Sequence, residues 1–391
     1  QFSLTKQQKS LNKKKLFLLD AFALIYRAYF GFTNNHQYNS KGLNTSAVLG
    51  FTNTLIEILR KEKPTHIAVV FDAPATTIRE VEFPEYKAGR EAMPEDIRNA
   101  LPYIKNVVKA FNIPILLCEG YEADDVIGTL AKEAERKGFT TYMMTPDKDF
   151  GQLVSENIFM YKPARMGNKA EVWGEYEVCE RFGIVKPEQL IDILGLWGDA
   201  SDNIPGVPGI GEKTAIKLIG EYDSIENLLK NTDKLKGKQK ENLEAFSEQA
   251  ILSKQLATIE LNAPIDFEKD ELKKKDPDME MLKKLFEELE FRTFAKRFFE
   301  ESAVNTSESH TQSHLFEGDE AANPQLDGID STPHNYELVT DKKDMKSLAD
   351  KLLKSKEICF DTETTGLDAN DSELVGISFS VKASEAWYIP V

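Results

Sequence analysis

The sequence has few cysteines and no long apolar run. Its three cysteines, Cys118, Cys179 and Cys359, are odd in number and far apart. This pattern argues against a disulfide framework and against a zinc cluster, and it fits a reducing cytoplasm. The longest apolar stretches fall well short of the roughly 20 residues that span a bilayer, so we expect no membrane partner.

The chain is also short of positive charge, with 49 Lys and Arg against 65 Asp and Glu and a net charge of −16. Taken alone, this surplus argues against a nucleic-acid partner. Most of it, however, lies after residue 300, which leaves only −5 on residues 1–300. If the nine acids described below bind cations, the rest of that segment carries about +4, which is compatible with a phosphate-rich partner.

Alternating patterns along the 391 residues predict an α/β fold in two or three domains. Strand-like runs at 16–19, 66–71, 113–118 and 140–144 alternate with helical patterns. Such alternation is typical of a parallel sheet with helices on both faces. From about residue 175 to residue 300 the pattern is mostly helical.

We place the domain boundaries from shifts in composition. Residues 1–12 are a lead-in, 13–174 an α/β core and 175–300 a helical subdomain. Residues 301–335 are polar, with seven acids and no Lys or Arg, which predicts a disordered linker. A new α/β pattern starts at Tyr336, and the 56 residues from there to Val391 are too few for a complete domain of this kind.

Acidic residues follow each of the four predicted strands. Ligands of doubly wound sheets bind at the carboxyl ends of the strands, where these acids would meet. A single Asp after a strand is usually a cap or turn residue, but four strands in succession are hard to explain that way. So many carboxylates would repel one another by several kcal/mol unless cations offset them. The acids are Asp20, Asp72, Glu122, Asp124, Asp125, Asp147 and Asp149.

The chemistry of these acids indicates Mg²⁺ or Mn²⁺. No His or Cys lies among them, so zinc is a poor fit, and there is no EF-hand loop. In the stretch YEADDVIGTLA, Glu122 and Asp125 share a helix face and would favour the helix dipole. Asp124 instead lies along the apolar stripe with Ile127 and Ala131, where a carboxylate needs a partner. We expect that partner to be a divalent ion.

A second motif, GDASDNIPGVPGIGEKTA at 198–215, adds Asp199 and Asp202 to the acids. It nearly matches a P-loop, but Glu212 interrupts the match and the motif follows a helix rather than a strand. A helix, a glycine turn and a second helix explain it better, because such a hairpin offers backbone N–H groups to a DNA phosphate. The predicted DNA-binding residues here are Gly206, Gly209, Gly211, Lys213 and Thr214.

The stretch TTIREVEFPEYKAGREAMPED is too long and irregular for an ordinary connection. It carries Arg79, Tyr86, Lys87 and Arg90. A solvated charged loop is the ordinary interpretation of this stretch. Beside an acidic metal site, however, Lys87 and Arg90 are placed to stabilise the charge of a phosphate in the transition state.

Together these motifs resemble a known family. LLDAFALIYRAYF, VVFDA, PEYKAGR, EADD, TPDKDF and GDASDNIPGVPGIGEKTA occur in this order. The ordered set resembles the 5′-nuclease (flap endonuclease-like) domain at the start of bacterial DNA polymerase I. CFDTETTGLDANDSELVGISFSVKASEAWYIPV resembles the opening of the 3′–5′ exonuclease domain that follows it there.

This resemblance implies a PIN-like core, a helical arch at about 74–95 and a helix-three-turn-helix DNA-binding subdomain. It implies catalytic roles for Lys87 and Arg90, two or more divalent ions, and K⁺ at the hairpin. Asp361 and Glu363 match an incomplete 3′–5′ exonuclease site. The implied metal ligands are Asp20, Asp72, Glu122, Asp124, Asp125, Asp147, Asp149, Asp199 and Asp202. The implied DNA contacts beyond the hairpin are Tyr26, Arg27, Arg79 and Tyr86.

We therefore expect a monomeric, metal-dependent 5′–3′ exonuclease or flap endonuclease that acts on DNA with a 5′ end, nick or flap, and on an RNA primer. By resemblance it serves primer removal, nick translation and repair. Two alternatives stay open, a PIN-type ribonuclease and a non-catalytic DNA-binding module. A haloacid-dehalogenase-type phosphatase is excluded, because Phe22 occupies the position of its second acid.

Overall fold

A computed structural model describes residues 14–33, 35–164, 169–304, 335–364, 373–382 and 384–391. The chain divides into two compact units, one within residues 1–311 and the other within 312–391. We describe each unit by itself. Among the described residues, no helix is both long enough and apolar enough to cross a membrane.

A six-stranded sheet forms the centre of the first unit. Its strand order is β3-β2-β1-β4-β5-β6, and every neighbouring pair is parallel except β5 with β6. The predicted parallel α/β sheet is thus confirmed, with an antiparallel strand added at one edge. The strands are β1 Lys14–Asp20, β2 His66–Val70, β3 Ile115–Leu116, β4 Phe139–Met144, β5 Ile158–Lys162 and β6 Glu171–Trp173. The third strand is shorter than the predicted run at 113–118.

Fourteen helices accompany the sheet in the described part of this unit. They are α1 Ala21–Gly31, α2 Ser46–Glu57, α3 Ile78–Glu82, α4 Glu95–Ala110, α5 Ala123–Arg136, α6 Glu175–Phe182, α7 Gln189–Trp197, α8 Glu212–Tyr222, α9 Ile225–Lys230, α10 Gly237–Ala245, α11 Ser247–Ala257, α12 Lys269–Leu272, α13 Met279–Glu288 and α14 Arg292–Val304. One π-helical turn, Ile58–Glu62, continues α2, and 3-10 helices occupy Lys148–Leu153 and Thr232–Lys234.

The central strand β1 shows why both faces of the sheet are covered. Leu16 and Leu18 point into one core and Phe17 and Leu19 into the other, and all four are fully buried. Alternation of large apolar side chains on both faces is typical of a parallel sheet between two helical layers. Helices α1, α2, α4, α13 and α14 pack on the Phe17 side, and α5 with α7 to α11 on the Leu16 side.

The connection between β2 and α4 contains the predicted arch region, about 74–95. Its first part is the short helix α3, which Thr77 caps by accepting a hydrogen bond from the Glu80 backbone N–H. Turns follow at 84–89. An otherwise irregular connection of this length places side chains by their own contacts rather than by a helix or strand, so its contacts decide which residues reach the site.

Two glycines fix the entry to the hairpin. Gly198 and Gly206 both have positive φ, at 79° and 60°, and a Cβ on either would lie 2.5 Å from a backbone atom of the facing segment. Only glycine tolerates both conditions. The backbone segments on either side of the GDASDN stretch therefore meet directly.

The second unit is a four-stranded sheet with the order β7-β10-β9-β8 and one helix. Val339, Leu348 and Trp387 form its small core. The predicted α/β pattern after Tyr336 is present, and its incompleteness stays a prediction. The elements are β7 Asn335–Leu338, α15 Lys342–Leu352, β8 Cys359–Thr364, β9 Leu374–Lys382 and β10 Glu385–Pro390. The predicted linker at 301–335 falls almost wholly outside the described residues, and its first four residues continue α14.

Candidate active site: an acidic cluster at the carboxyl edge of the sheet

Asp20 connects the ends of β1 and β4, the neighbouring strands at which the strand order reverses. It ends β1 and caps α1, where its Oδ1 accepts a hydrogen bond of 3.1 Å from the Ala23 backbone N–H. Its Oδ2 accepts a hydrogen bond of 3.0 Å from the Thr145 hydroxyl, one residue after β4. The crevice at this reversal is where ligands of doubly wound sheets bind.

Asp72 brings the start of α5 to the same edge. It follows β2, and its Oδ1 accepts a hydrogen bond of 2.7 Å from the Ala123 backbone N–H. Ala123 directly precedes Asp124 in the first turn of α5. One backbone contact therefore ties a strand end to the helix that carries Glu122, Asp124 and Asp125.

The acids that converge here raise one another's pKa. Burial raises the pKa of Asp20 to about 7. The hydrogen bond from Ala23 lowers this pKa, and the nearby charge of Asp72 raises it further. Burial also raises the pKa of Asp124 well above its usual value, with further increases from Asp20 and Asp147. The structure thus brings together acids that follow three different strands.

The surroundings of Asp149 also fit a bound cation. Burial and then the charge of Asp147 raise its pKa to about 7. Its Oδ1 is buried without a hydrogen-bond partner, and the Lys148 Nζ lies 3.6 Å away. An oxygen-only set with an unpaired buried oxygen suits Mg²⁺ or Mn²⁺. Within the described part of the chain, however, no three ligating side chains close around a single point, so the acids line an open cluster.

Basic side chains offset part of this negative charge. Lys148 forms an ion pair with Asp199, and Arg90 with Asp202. Lys87 lies with its Nζ 2.6 Å from Glu122 Oε1. The expectation that only bound ions offset the repulsion between these acids is therefore incomplete. Sequence reasoning missed Lys148, although a lysine between two acids in TPDKDF was a signal for it.

Asp125 pairs with a basic side chain, and its predicted role as a metal ligand stays a prediction. It is 2% exposed, and both its oxygens bind the Arg79 guanidinium, at 2.7 and 2.8 Å. It also accepts hydrogen bonds from the backbone N–H groups of Glu122 and Glu260. A carboxylate with both oxygens engaged in this way anchors the helix start.

Glu122 is buried as well, at 6% exposed. Lys87 binds its Oε1, while its Oε2 accepts from Arg79 at 3.2 Å and from the Tyr86 hydroxyl at 3.2 Å. Such partners make its burial tolerable, because a buried charge needs them. Glu122 is therefore the point where the connection after β2 meets the acidic cluster.

Tyr86 and Arg79, both predicted DNA contacts, are largely buried, and their binding of DNA stays a prediction. Tyr86 is 4% exposed, and its hydroxyl donates to Glu122 and to Asp202 Oδ2, at 3.3 Å. Burial raises its pKa. The Arg79 side chain is 11% exposed and donates hydrogen bonds to acids and to backbone carbonyls. Both side chains are thus engaged by groups within the protein.

Tyr26 and Arg27 both lie on α1. The Tyr26 ring lies 6.2 Å from that of Phe30, which is 57% exposed. The Arg27 guanidinium donates to the backbone carbonyl of Ala164. The predicted DNA contacts of these two residues stay predictions.

The hairpin has the predicted form. Helix α7 leads through the glycine turn to α8, with Gly211 immediately before it and Lys213 and Thr214 in its first turn. Two side chains outside the motif fix the turn, since Gln249 donates to Gly206 O at 2.7 Å and Asn242 to Pro208 O at 2.7 Å. Its binding of DNA and of K⁺ stays a prediction.

Asp361 and Glu363 lie on strand β8 of the second unit, where both are exposed. They are two residues apart on one strand and so share a face of the sheet. Their role as ligands of a 3′–5′ exonuclease site stays a prediction.

Three family models match the chain. The "5′–3′ exonuclease, N-terminal resolvase-like domain" matches residues 15–183, and the "5′–3′ exonuclease, C-terminal SAM fold" matches residues 185–280. A "3′–5′ exonuclease" model matches residues 336–391. A 5′–3′ exonuclease of Aquifex aeolicus is 40% identical over 283 residues, which are 72% of this chain and 94% of that protein. The chain belongs to the 5′–3′ exonuclease family.

Longer relatives in this family are DNA polymerases. DNA polymerase I of Bacillus subtilis is 44% identical over 292 residues, 74% of this chain and 33% of that protein. DNA polymerase I of Pseudomonas aeruginosa is 38% identical over 389 residues, 97% of this chain and 40% of that protein. The chain thus spans about a third to two fifths of the length of these relatives. The resemblance drawn from the sequence motifs is confirmed.

Solved structures share the fold. A flap endonuclease of bacteriophage T5, solved with DNA and metal ions, matches with a TM-score of 0.52 and 20% identity, over 71% of this chain and 99% of its own. The catalytic core of Rad2 in complex with DNA matches with a TM-score of 0.50 and 16% identity, over 72% and 89%. At these identities the likeness concerns the fold alone, and it confirms the predicted 5′-nuclease architecture.

Proposed function

We propose that the chain hydrolyses DNA phosphodiesters as a metal-dependent 5′–3′ exonuclease and flap endonuclease. The observation that supports this most is the convergence of Asp20, Asp72 and Asp124 from two strand ends and one helix start. Membership of the 5′–3′ exonuclease family adds the reaction class. The solved relatives bound to metal ions and DNA support the cofactor and the substrate.

The ions proposed are Mg²⁺ or Mn²⁺, and the acids fall into two groups. Asp20, Asp72, Glu122 and Asp124 form an inner group, and Asp147, Asp149, Asp199 and Asp202 an outer one. Bound divalent ions would activate a water molecule and stabilise the departing 3′ oxygen. Asp125 is left out of both groups, since Arg79 occupies it.

The basic residues of the connection after β2 act on the substrate. Lys87 lies against Glu122, and the half-exposed Arg90 lies against Asp202. When a scissile phosphate enters beside the cluster, each basic side chain can leave its acidic partner and pair with the phosphate. The pair then offsets the negative charge of the phosphate. The hairpin grips the duplex through backbone N–H groups without reading sequence.

The wider roles rest on the longer relatives. Primer removal, nick translation and DNA repair, with RNA primers among the substrates, are proposals from the resemblance of the sequence motifs to bacterial DNA polymerase I, which the DNA polymerase I relatives and the 3′–5′ exonuclease match support. Asp361 and Glu363 would belong to that second activity.

One assay tests the proposal against its alternatives. A 5′-flap DNA, a blunt duplex and an RNA hairpin are incubated with the protein in Mg²⁺ or in EDTA. We expect cleavage of both DNA substrates, fastest for the flap, and no cleavage of the RNA hairpin. Cleavage should require Mg²⁺ and be lost in Asp124→Asn. Cleavage confined to the RNA would support the ribonuclease, and binding without cleavage would support the silent DNA-binding module.

A further inference from the structure

A short segment of the helical subdomain lies against both groups of acids. It consists of residues 256–260, the last turn of α11 and the three residues after it, and we call it the strap. Beyond α11 it belongs to no helix or strand. Its backbone N–H and C=O groups need partners because they are largely buried. Those partners are side chains from the elements that carry the acids.

The first attachment joins the strap to the start of α5. Arg79 donates from Nε to Leu256 O at 3.2 Å and from a terminal nitrogen to Thr258 O at 2.6 Å. The same guanidinium binds Asp125, and Asp125 accepts a hydrogen bond of 2.8 Å from the Glu260 N–H. Asp124, an inner acid, is the neighbour of Asp125. This part of the strap is thus fixed relative to the inner group.

The second attachment joins the strap to the outer acids through Gln152. This residue is 7% exposed and lies in the 3-10 helix that carries Asp149. Its Oε1 accepts a hydrogen bond of 2.9 Å from the Ile259 N–H. Its Nε2 donates to Ala257 O at 2.9 Å and to Asp149 O at 3.0 Å. One buried amide therefore binds the backbone of the strap and the backbone of an outer acid.

We propose that Gln152 is a positioning residue for the outer metal-binding acids. It sets the distance of Asp149 and Asp147 from the inner group by holding their 3-10 helix on the strap. It acts through the Asp149 main chain, since its hydrogen bonds go to backbone atoms. The inference rests on the proposed nuclease function. It extends that function to a residue outside the acids, the basic residues and the hairpin.

The physical argument is that ligand geometry decides metal affinity. Groups that orient metal ligands from behind commonly change affinity by about 10-fold or more when removed. Asp149 Oδ1 is buried and accepts no hydrogen bond, and its ion-pair contact with the Lys148 Nζ, at 3.6 Å, is too long to fix its direction as a hydrogen bond would. Its orientation then depends on its backbone, and Gln152 is the buried side chain that holds that backbone on the strap.

The test uses two variants and a matched control in the whole 391-residue chain. Gln152→Leu removes the amide and keeps a side chain of similar volume. If the leucine variant does not fold, Gln152→Met is measured instead. Gln189→Leu is the control. Gln189 is also a buried glutamine, 2% exposed, at the start of α7. Its side chain bonds the backbone N–H of Val185 and the side chain of Asp223, which are both outside the strap.

Mn²⁺ binding is measured by calorimetry without DNA, beside thermal unfolding and the Mg²⁺ dependence of flap cleavage. We expect the Gln152 variants to lose about 10-fold in affinity for the weaker ion, with the Mg²⁺ midpoint of cleavage shifted alike. Gln189→Leu should lower the Tm and leave both metal midpoints unchanged. Metal midpoints unchanged in the Gln152 variants, or shifted equally in Gln189→Leu, would overturn the inference. The proposed function would fail separately, by absence of Mn²⁺ binding and flap cleavage in the unsubstituted protein.

Discussion

Lys87 and Asp202 meet at two points, although 115 positions of sequence separate them. The Lys87 backbone N–H donates to the Asp202 carbonyl at 2.9 Å, and the Lys87 Nζ lies 3.8 Å from Asp202 Oδ2. Lys87 has a φ of 57°, in the left-handed region. A non-glycine residue held there is strained by about 1 kcal/mol or more, and such strain often accompanies a functional position. The backbone contact therefore aims this lysine at Glu122.

Lys87→Met should lower cleavage far more than duplex binding. The substitution keeps the stem and removes the charge, so the loss falls on the transition state. We expect the single-turnover cleavage rate to fall by about 100-fold, with duplex affinity changed less than about threefold. Rapid-quench kinetics and a fluorescence binding assay in Ca²⁺ measure the two quantities. Equal losses in both would contradict a role in the chemical step.

Asp124 and Asp125 are adjacent acids, and we expect their replacement by Asn to have opposite effects on the stability of the metal-free protein. Asp125→Asn breaks a buried pair with Arg79, which typically costs about 3 kcal/mol. Asp124→Asn removes a charge that its acidic neighbours disfavour, so the metal-free protein should keep or gain stability. Urea unfolding in EDTA measures both. Calorimetry should show weakened divalent binding for Asp124→Asn only.

A result in which Asp124→Asn destabilises the metal-free protein as much as Asp125→Asn would contradict this assignment. It would mean that Asp124 also holds the fold together. Unchanged Mn²⁺ binding in the Asp124 variant would remove that residue from the inner group. The two variants share the same chemical change, so each controls for the other.

The raised pKa values predict how stability depends on pH. In the folded state Asp20 and Asp149 have a pKa of about 7, against about 4 for an unfolded Asp. Between these values the folded state holds protons that the unfolded state has released, so stability falls as pH rises through this window. We expect the Tm in EDTA to be lower at about pH 8 than at about pH 5.5, because both groups are charged there.

Mg²⁺ should reverse this trend, since it binds carboxylates only after they lose their protons. The Tm gain on adding Mg²⁺ should therefore be larger at about pH 8 than at about pH 5.5. Differential scanning fluorimetry in matched buffers measures all four conditions. Ca²⁺ provides a divalent control for binding. An equal Mg²⁺ gain at the two pH values would argue that the ion binds outside the acidic cluster.

Gly206→Ala should disrupt the hairpin entry. The residue has a φ of 60°, and an added Cβ would lie 2.5 Å from the Gly198 backbone nitrogen. Backbone atoms cannot move away easily, so we expect a loss of about 3 kcal/mol or more in unfolding free energy. Gly220→Ala is the control, because nothing lies within 4 Å of a Cβ built there. Similar stability of the two variants would contradict the close approach.

The sequence by itself determined the sheet, the acids and the hairpin. Alternating strand and helix patterns gave β1, β2 and β4 within a few residues, because large apolar residues at 16–19 and 66–71 read clearly as buried strands. Acids directly after those strands had to meet at one edge, since parallel strands end together. The glycines of 198–211 predicted a turn that only a chain without Cβ atoms can make.

Only the tertiary structure decided which acids are free. The sequence placed Asp124 on the apolar stripe and Asp125 on the face of Glu122, but it gave no sign that Arg79, 46 positions away, engages Asp125. Tyr86 turned out to be buried because Glu122 and Asp202 converge on its hydroxyl. The role of Gln152 had no sequence signal, since its two partners on the strap are backbone atoms more than 100 positions along the chain. Long-range hydrogen bonds depend on how segments pack, and no local pattern records that packing.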